Sequence, residues 1–186
     1  MTKKGRGRFY KITPLKDFAN RDIAMSAAWL DEYRERVYDQ IVDLPQPALD
    51  FEARDTGITI GRLLLHMGWA ESLWISRITG IEVSPGLSDL LTPGSLDKFE
   101  TKPGISPGAE ELIDTCRRVR NEMTIPGLKR TSNADAPCWE DGSTFRGVLG
   151  QLQWHWIYHS GQIGLIRFEW GSDYEWTMGS PMAPEM

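Results

Sequence analysis

Apolar residues in this chain recur at helical spacing in four stretches and alternate convincingly at strand spacing in none. Ile23, Ala27, Leu30, Tyr33, Val37 and Ile41 share one face of a helix over residues 22–43, and Leu44-Pro45 closes the pattern. A second helix over 59–80 has Thr59 as N-cap, then Ile60, Leu63, Leu64, Met67, Ala70, Trp74 and Ile78, with Gly80 as its stop. The third opens at Ser106-Pro107, N-cap and first helical position, carries Leu112, Cys116, Val119 and Met123, and ends at Ile125-Pro126. The fourth begins near Ser143-Thr144, lines up Phe145, Val148, Leu152, His155, His159, Ile163 and Ile166, and stops at Gly171. Four amphipathic helices with no sheet to pack on predict an all-α fold, an antiparallel up-and-down four-helix bundle.

Long connections join these helices. Pro85-Gly86, Pro93-Gly94, Pro103-Gly104 and Pro107-Gly108 punctuate residues 80–107 too often for long regular structure, and a loop of that length predicts a functional cover. A polar loop spans 126–142, and residues 1–15 read as a flexible amino-terminal arm of a single domain over 1–186.

Composition narrows the partners. A hydrophobic fraction of 40% beside 25% charged residues is the balance of a soluble globule. A net charge of -5 provides no general hold on phosphate backbones, and the one basic cluster, Lys3, Lys4, Arg6 and Arg8, is interrupted by glycine, so nucleic acid is excluded. Lys11, Pro14, Lys16 and Asp17 break up the segment where a secretory signal would be apolar, and no apolar run reaches membrane-spanning length. Cys116 and Cys138 follow no paired spacing and read as reduced thiols, which implies a cytoplasmic protein.

The candidate chemistry lies in the histidines. There are three, and each falls inside a predicted helix among apolar neighbours, where an unpartnered imidazole loses hydrogen bonds to water. His155 and His159 are four apart, so their side chains stand on one helical face within reach of one ion. His66, from the second helix, offers a third nitrogen. Three neutral imidazoles suit zinc, nickel, iron or copper better than magnesium or calcium, which prefer oxygen. Helical geometry resists the grouping in two ways. His66 lies at the edge of its apolar stripe, and it stands about 10 Å below its helix start against about 16 to 22 Å for the other two, a gap that staggered ends or tilt must close.

Several chemistries are excluded. A zincin protease needs glutamate after its first histidine, where this chain has Trp156, and no Glu-x-x-His pair of a di-iron bundle exists. Cys116 reads as an inert core thiol, Ser160 lacks a nucleophile-elbow context, and no phosphate-binding glycine pattern is present. Glu71 turns about 140° away from His66 and reads as half of a buried or interfacial ion pair with an arginine.

The segment His155-Trp-Ile-Tyr-His159-Ser-Gly161-Gln162-Ile163, with Ile166-Arg167 and Gly171 after it, resembles the closing helix of the DinB/YfiT-like metalloenzyme family. Residues 59–67, ending in His66-Met67, together with Glu71 and Trp74, are similar to that family's first ligand helix. The resemblance implies a four-helix bundle, usually a homodimer, in which His66, His155 and His159 bind a divalent metal, nickel or zinc first, with iron, manganese or copper as alternatives. Ser160 stands where arginine is common in the family. Some relatives resemble thiol-dependent transferases or isomerases, so the expected partner is a small-molecule substrate, including a low-molecular-weight thiol.

Three readings follow. In the first, the three histidines leave an open coordination position that activates water or a thiol for hydrolysis or thiol transfer, with Trp69, Trp154 and Trp156 as candidate walls. In the second, the chain is a non-catalytic metal-binding or stress-response bundle whose ion only stabilises the fold. In the third, it is a metal-free dimerisation module.

Overall fold

Asn20 starts the first helix: its side-chain oxygen accepts from the Asp22 and Ile23 amides, and α1 runs Arg21–Ile41. The protein is described as a computed structural model over residues 2–7, 11–55, 57–95 and 104–177. A short α2 (Gln46–Leu49) and a 3-10 turn (Ala53–Asp55) lead to α3 (Ile60–Thr79). Thr59 caps α3 by accepting from the Arg62 amide, and Gly80 ends it in the left-handed region at φ 72°. The connection that follows folds into α4 (Pro85–Leu91) and a 3-10 turn (Thr92–Gly94). Then come α5 (Ala109–Arg118), a π-helical segment (Val119–Thr124), α6 (Ile125–Lys129) and α7 (Phe145–Glu169), the last capped by Thr144. The described residues are mostly helical, an all-α structure.

The third helix departs from its predicted extent. It starts at Ala109, after Gly108, and runs past Ile125-Pro126 to Lys129. The π segment explains the continuation. The Ile125 amide bonds the Arg120 carbonyl five residues back, and Pro126 then opens α6 as one of its first residues, where a missing N–H costs little.

Strand structure, absent from the hydropathy pattern, is present in miniature. β1 (Thr2–Lys4) pairs in parallel with β2 (Asp173–Glu175), and Lys3 also meets Asp39 of α1 at 3.6 Å and Asp43 just past it at 3.1 Å, so this part of the expected flexible arm is tied to the end of α1. Pairs of three residues leave too little alternation to read from sequence.

The core centres on α3. Every residue from Ile60 to Gly68 is buried, because α5, the π segment, α7 and the Thr92–Gly94 turn all pack on this helix. That is why a position at the edge of the α3 apolar stripe, His66, is still inside. On its other side α7 packs along α1.

One buried ion pair ties these helices together. Arg34 on α1 makes two hydrogen bonds to Glu71 on α3, and both side chains are 1% exposed. Glu71 also accepts from the Thr124 hydroxyl at the end of the π segment and, at 2.9 Å, from the Trp156 indole N–H on α7. The arginine expected beside Glu71 is thus Arg34, and the carboxylate receives four donor atoms from three other elements. Removing one partner of such a pair leaves an uncompensated charge. Glu71→Ala is expected to lower stability by about 3–5 kcal/mol, and pairing Glu71→Leu with Arg34→Met to recover part of the loss. Urea unfolding followed by far-UV circular dichroism measures both.

Candidate metal centre

His66 stands on the second turn of α3, and His155 and His159 stand on successive turns of α7. The three rings meet. His155 Nε2 lies 3.2 Å from His66 Nε2 and 3.0 Å from His159 Nε2, and the ligand atoms of all three lie within 4.8 Å of one another. The helical offset that seemed to separate His66 from the α7 pair is therefore closed.

This geometry fits a shared ion. With nitrogen–metal bonds of about 2.0–2.1 Å, the two separations from His155 Nε2, 3.2 and 3.0 Å, correspond to angles of roughly 95–105° at one centre, between octahedral and tetrahedral. The outer nitrogens also fit. His66 Nδ1 donates to the Gly94 carbonyl at 3.0 Å, and His159 Nδ1 donates to Gln162 Oε1 at 2.6 Å. Each bond places the ring proton on Nδ1 and leaves the Nε2 lone pair facing inward, the tautomer a metal requires. His155 Nδ1 is buried with no hydrogen-bond partner among the described residues. The inward lone pairs of His66 and His159 both face His155 Nε2, where either the ring's own proton or a shared cation satisfies them.

Local sequence explains each support. Gly94 ends the 3-10 turn that lies against α3, and a Cβ there would collide with the backbone of Leu65 and His66. Only glycine lets the carbonyl approach His66 Nδ1. Gln162 sits one helical turn after His159, and its amide nitrogen reaches the Tyr158 hydroxyl at 3.5 Å. The i, i+3 spacing of Gln162 is visible in sequence, whereas nothing in the sequence marks the carbonyl of Gly94 as His66's acceptor.

The candidate tryptophans separate into three roles. Trp69 stacks beside His66 with ring centroids 5.9 Å apart. Trp156 is core, fully buried, with its N–H on Glu71. Trp154 faces outward and stacks on Tyr158, whose ring meets His159 edge-on at 5.1 Å. Only Trp69 of the three flanks the histidines directly among the described contacts.

The other candidates stay outside the chemistry. Cys116 donates its thiol to the Leu64 carbonyl at 3.6 Å, and burial, helped by the Glu71 charge, pushes its pKa up to about 12. Both cysteines are free thiols. Ser160 accepts from Gln40 at 2.7 Å and links α7 to α1.

Burial keeps the imidazoles neutral. It lowers the pKa of His66 against the opposing pull of the Gly94 carbonyl, and that of His159 against the pull of Gln162. Burial and then the neighbouring His159 and His66 bring His155 down to about 3. All three are thus uncharged near neutral pH, the form that ligates metals.

No family model matches the chain, and no curated protein matches it. Among the described residues no helix is long and apolar enough to cross a membrane.

Two outcomes follow from the supports and the depressed imidazole pKa values. Gly94→Ala is expected to weaken zinc affinity by about 10–100-fold, as loss of an outer hydrogen bond to a ligand does; competition with a chromophoric chelator measures it. In the metal-free protein, the unfolded chain takes up protons below about pH 6.5 that the folded histidines refuse, so stability falls as pH falls. Urea midpoints are expected to drop between pH 7 and 5, before the carboxylates titrate, and to drop less in His155→Phe.

Proposed function

We propose that this chain is a metal-dependent enzyme of the DinB/YfiT-like kind. α1, α3, the α5–α6 segment and α7 form its antiparallel four-helix bundle, and His66, His155 and His159 hold one divalent ion, nickel or zinc. The observation that carries this reading is the convergence of three Nε2 atoms from two helices, 3.0 and 3.2 Å apart, with two of the outer nitrogens held by Gly94 and Gln162. The resemblance of the ligand segments supports the same assignment. An all-nitrogen donor set favours the later first-row metals over magnesium or calcium.

An ion with three protein ligands and an open position acts as a Lewis acid and makes a water or thiol ligand acidic near neutral pH. The chain's own residues prepare that chemistry. The neutral rings bind without a competing proton, Gly94 and Gln162 fix their tautomers, and Trp156, anchored on Glu71, holds the α7 turn that presents His155 and His159. Trp69 lies against the His66 ring and limits the room beside it. The reaction class is hydrolysis or low-molecular-weight thiol transfer on a small electrophile.

Protein purified without an affinity tag is expected to carry about one nickel or zinc per chain, and His159→Ala to lose it, by inductively coupled plasma mass spectrometry. Turnover is expected in a panel of thiols against electrophiles or of esters and amides, and is expected to be abolished by chelation and by His155→Ala. Full metal occupancy without turnover would support the non-catalytic reading; turnover that survives both treatments would reject the mechanism.

A further inference from the structure

α1 carries a polar stripe beside its buried apolar one. Asp31, Arg34, Glu35 and Tyr38 follow one another at helical steps of three, four and seven residues, so they share one face. That face looks across to α5 and the π segment, which contribute Arg117, Arg120 and Asn121. α1 packs on α6 and α7, and the gap left between it and this stretch is a cavity of about 340 Å³. Ligand pockets run from roughly 300 to 1,000 Å³, so the cavity has room for one small molecule.

Most of the charge lining it is already matched. Arg34 gives its guanidinium to Glu71 and, at 2.8 Å, to Asp31. Arg120 grips both oxygens of Asp31, at 2.6 and 2.7 Å, and donates to the Asn121 side-chain oxygen at 2.7 Å. Two guanidiniums and two carboxylates thus cancel, as charges withdrawn from water must.

Two charges of opposite sign remain. The Glu35 carboxylate takes part in no ion pair or hydrogen bond among the described residues. Arg117 lies over the Tyr38 ring, 5.6 Å from its centroid, and its ion pair is an exposed 3.3 Å contact to Asp114 of its own helix. Exposed pairs of that kind contribute little, so the guanidinium is open to a better partner. Beside it, Asn121 has its oxygen held by Arg120 and its amide N–H groups without an acceptor among the described residues. The Tyr38 hydroxyl is also buried without a partner there, and burial raises its pKa well above the ordinary phenol value, so it keeps its proton.

The unmatched groups therefore form a dipole across the cavity, with a cation and donors on the α5 side and a carboxylate on the α1 side. A simple anion would face Glu35 and a simple cation would face Arg117, each setting like charges together. A molecule that carries both signs satisfies both walls. The backbone marks the same place: π turns are rare and gather at functional sites, and this one bears Arg120 and Asn121.

The geometry points to a second ligand site in this cavity, for a small zwitterion of the amino-acid class. Its carboxylate pairs with Arg117 and accepts from the Asn121 amide, and its ammonium pairs with Glu35. The site lies apart from the three histidines and does not depend on a metal.

A thermal-shift screen of α- and ω-amino acids, run on metal-stripped and on zinc-loaded protein, selects the ligand, and isothermal titration measures it. A best ligand with Kd below about 1 mM is expected, equal in the two preparations. Analogues lacking only the ammonium or only the carboxylate are expected to bind about tenfold weaker or worse. Arg117→Gln and Glu35→Gln change exposed side chains outside the buried Arg34–Glu71 pair. Each is expected to weaken binding about tenfold with circular dichroism and zinc content unchanged, while His155→Ala leaves the affinity as it was. The proposal is overturned if no amino acid at about 10 mM raises the melting temperature, or if a singly charged analogue binds as tightly. Binding that survives both glutamine variants, or that is lost with the zinc, overturns it too, the latter by placing the ligand on the metal.

Discussion

Four segments of the core agree on their relative positions at a single carboxylate. Apolar packing alone lets helices slide or rotate at modest cost, since one methyl-lined groove accepts another nearly as well. A buried charge is less forgiving. Glu71 on α3 is satisfied only when Arg34 of α1, Thr124 of the π segment and Trp156 of α7 all present donors to it. The π turn belongs to the same constraint, because Thr124 is its last residue and points its hydroxyl at that carboxylate. Trp156 lies between His155 and His159 in sequence, and Glu71 lies just over one turn from His66. The alignment that satisfies the charge is therefore also the alignment that brings the three rings together.

The cluster itself works against stability. Three imidazoles facing one another out of water gain little as a bare group, and one of them, His155, has an outer nitrogen with no partner. The fold tolerates this because the surrounding elements are over-determined: α3 is enclosed on every side along its first turns, and the 3-10 turn is pressed onto it by a glycine that nothing larger can replace. Local strain and desolvation of this sort gather at sites that bind ligands.

Much of this was legible in the chain. The caps Thr59 and Thr144, the stop at Gly80 and the inward faces of α1, α3, α7 and the α5–α6 segment follow from side-chain chemistry and period, which are local properties. The three histidines stood out because imidazoles in apolar stripes require an explanation. What could not be read was relational. The enclosure of α3 makes its stripe edge as buried as its centre, so the wheel position of His66 carried no weight. The carbonyl of Gly94 comes to His66 from a turn 28 residues away. Pro126 stops an α-helix in ordinary register, yet the π turn before it shifts the register and lets the helix go on. Trp154 and Trp156 are near neighbours in sequence with opposite fates, and only the arrangement around α7 decides which one faces solvent.

The small parallel ladder between Thr2–Lys4 and Asp173–Glu175 has a topological consequence. It joins the two ends of the described chain, with Lys3 reaching Asp43 just past the end of α1 and Arg167 holding the same carboxylate from α7. The backbone is thereby closed into a ring by noncovalent contacts spanning some 170 residues. Closing so long a loop is the entropically slowest pairing in the molecule, so the ladder zips up after the helices have docked. Once formed, it couples the two strands it joins: tension on either one must first shear the same clasp.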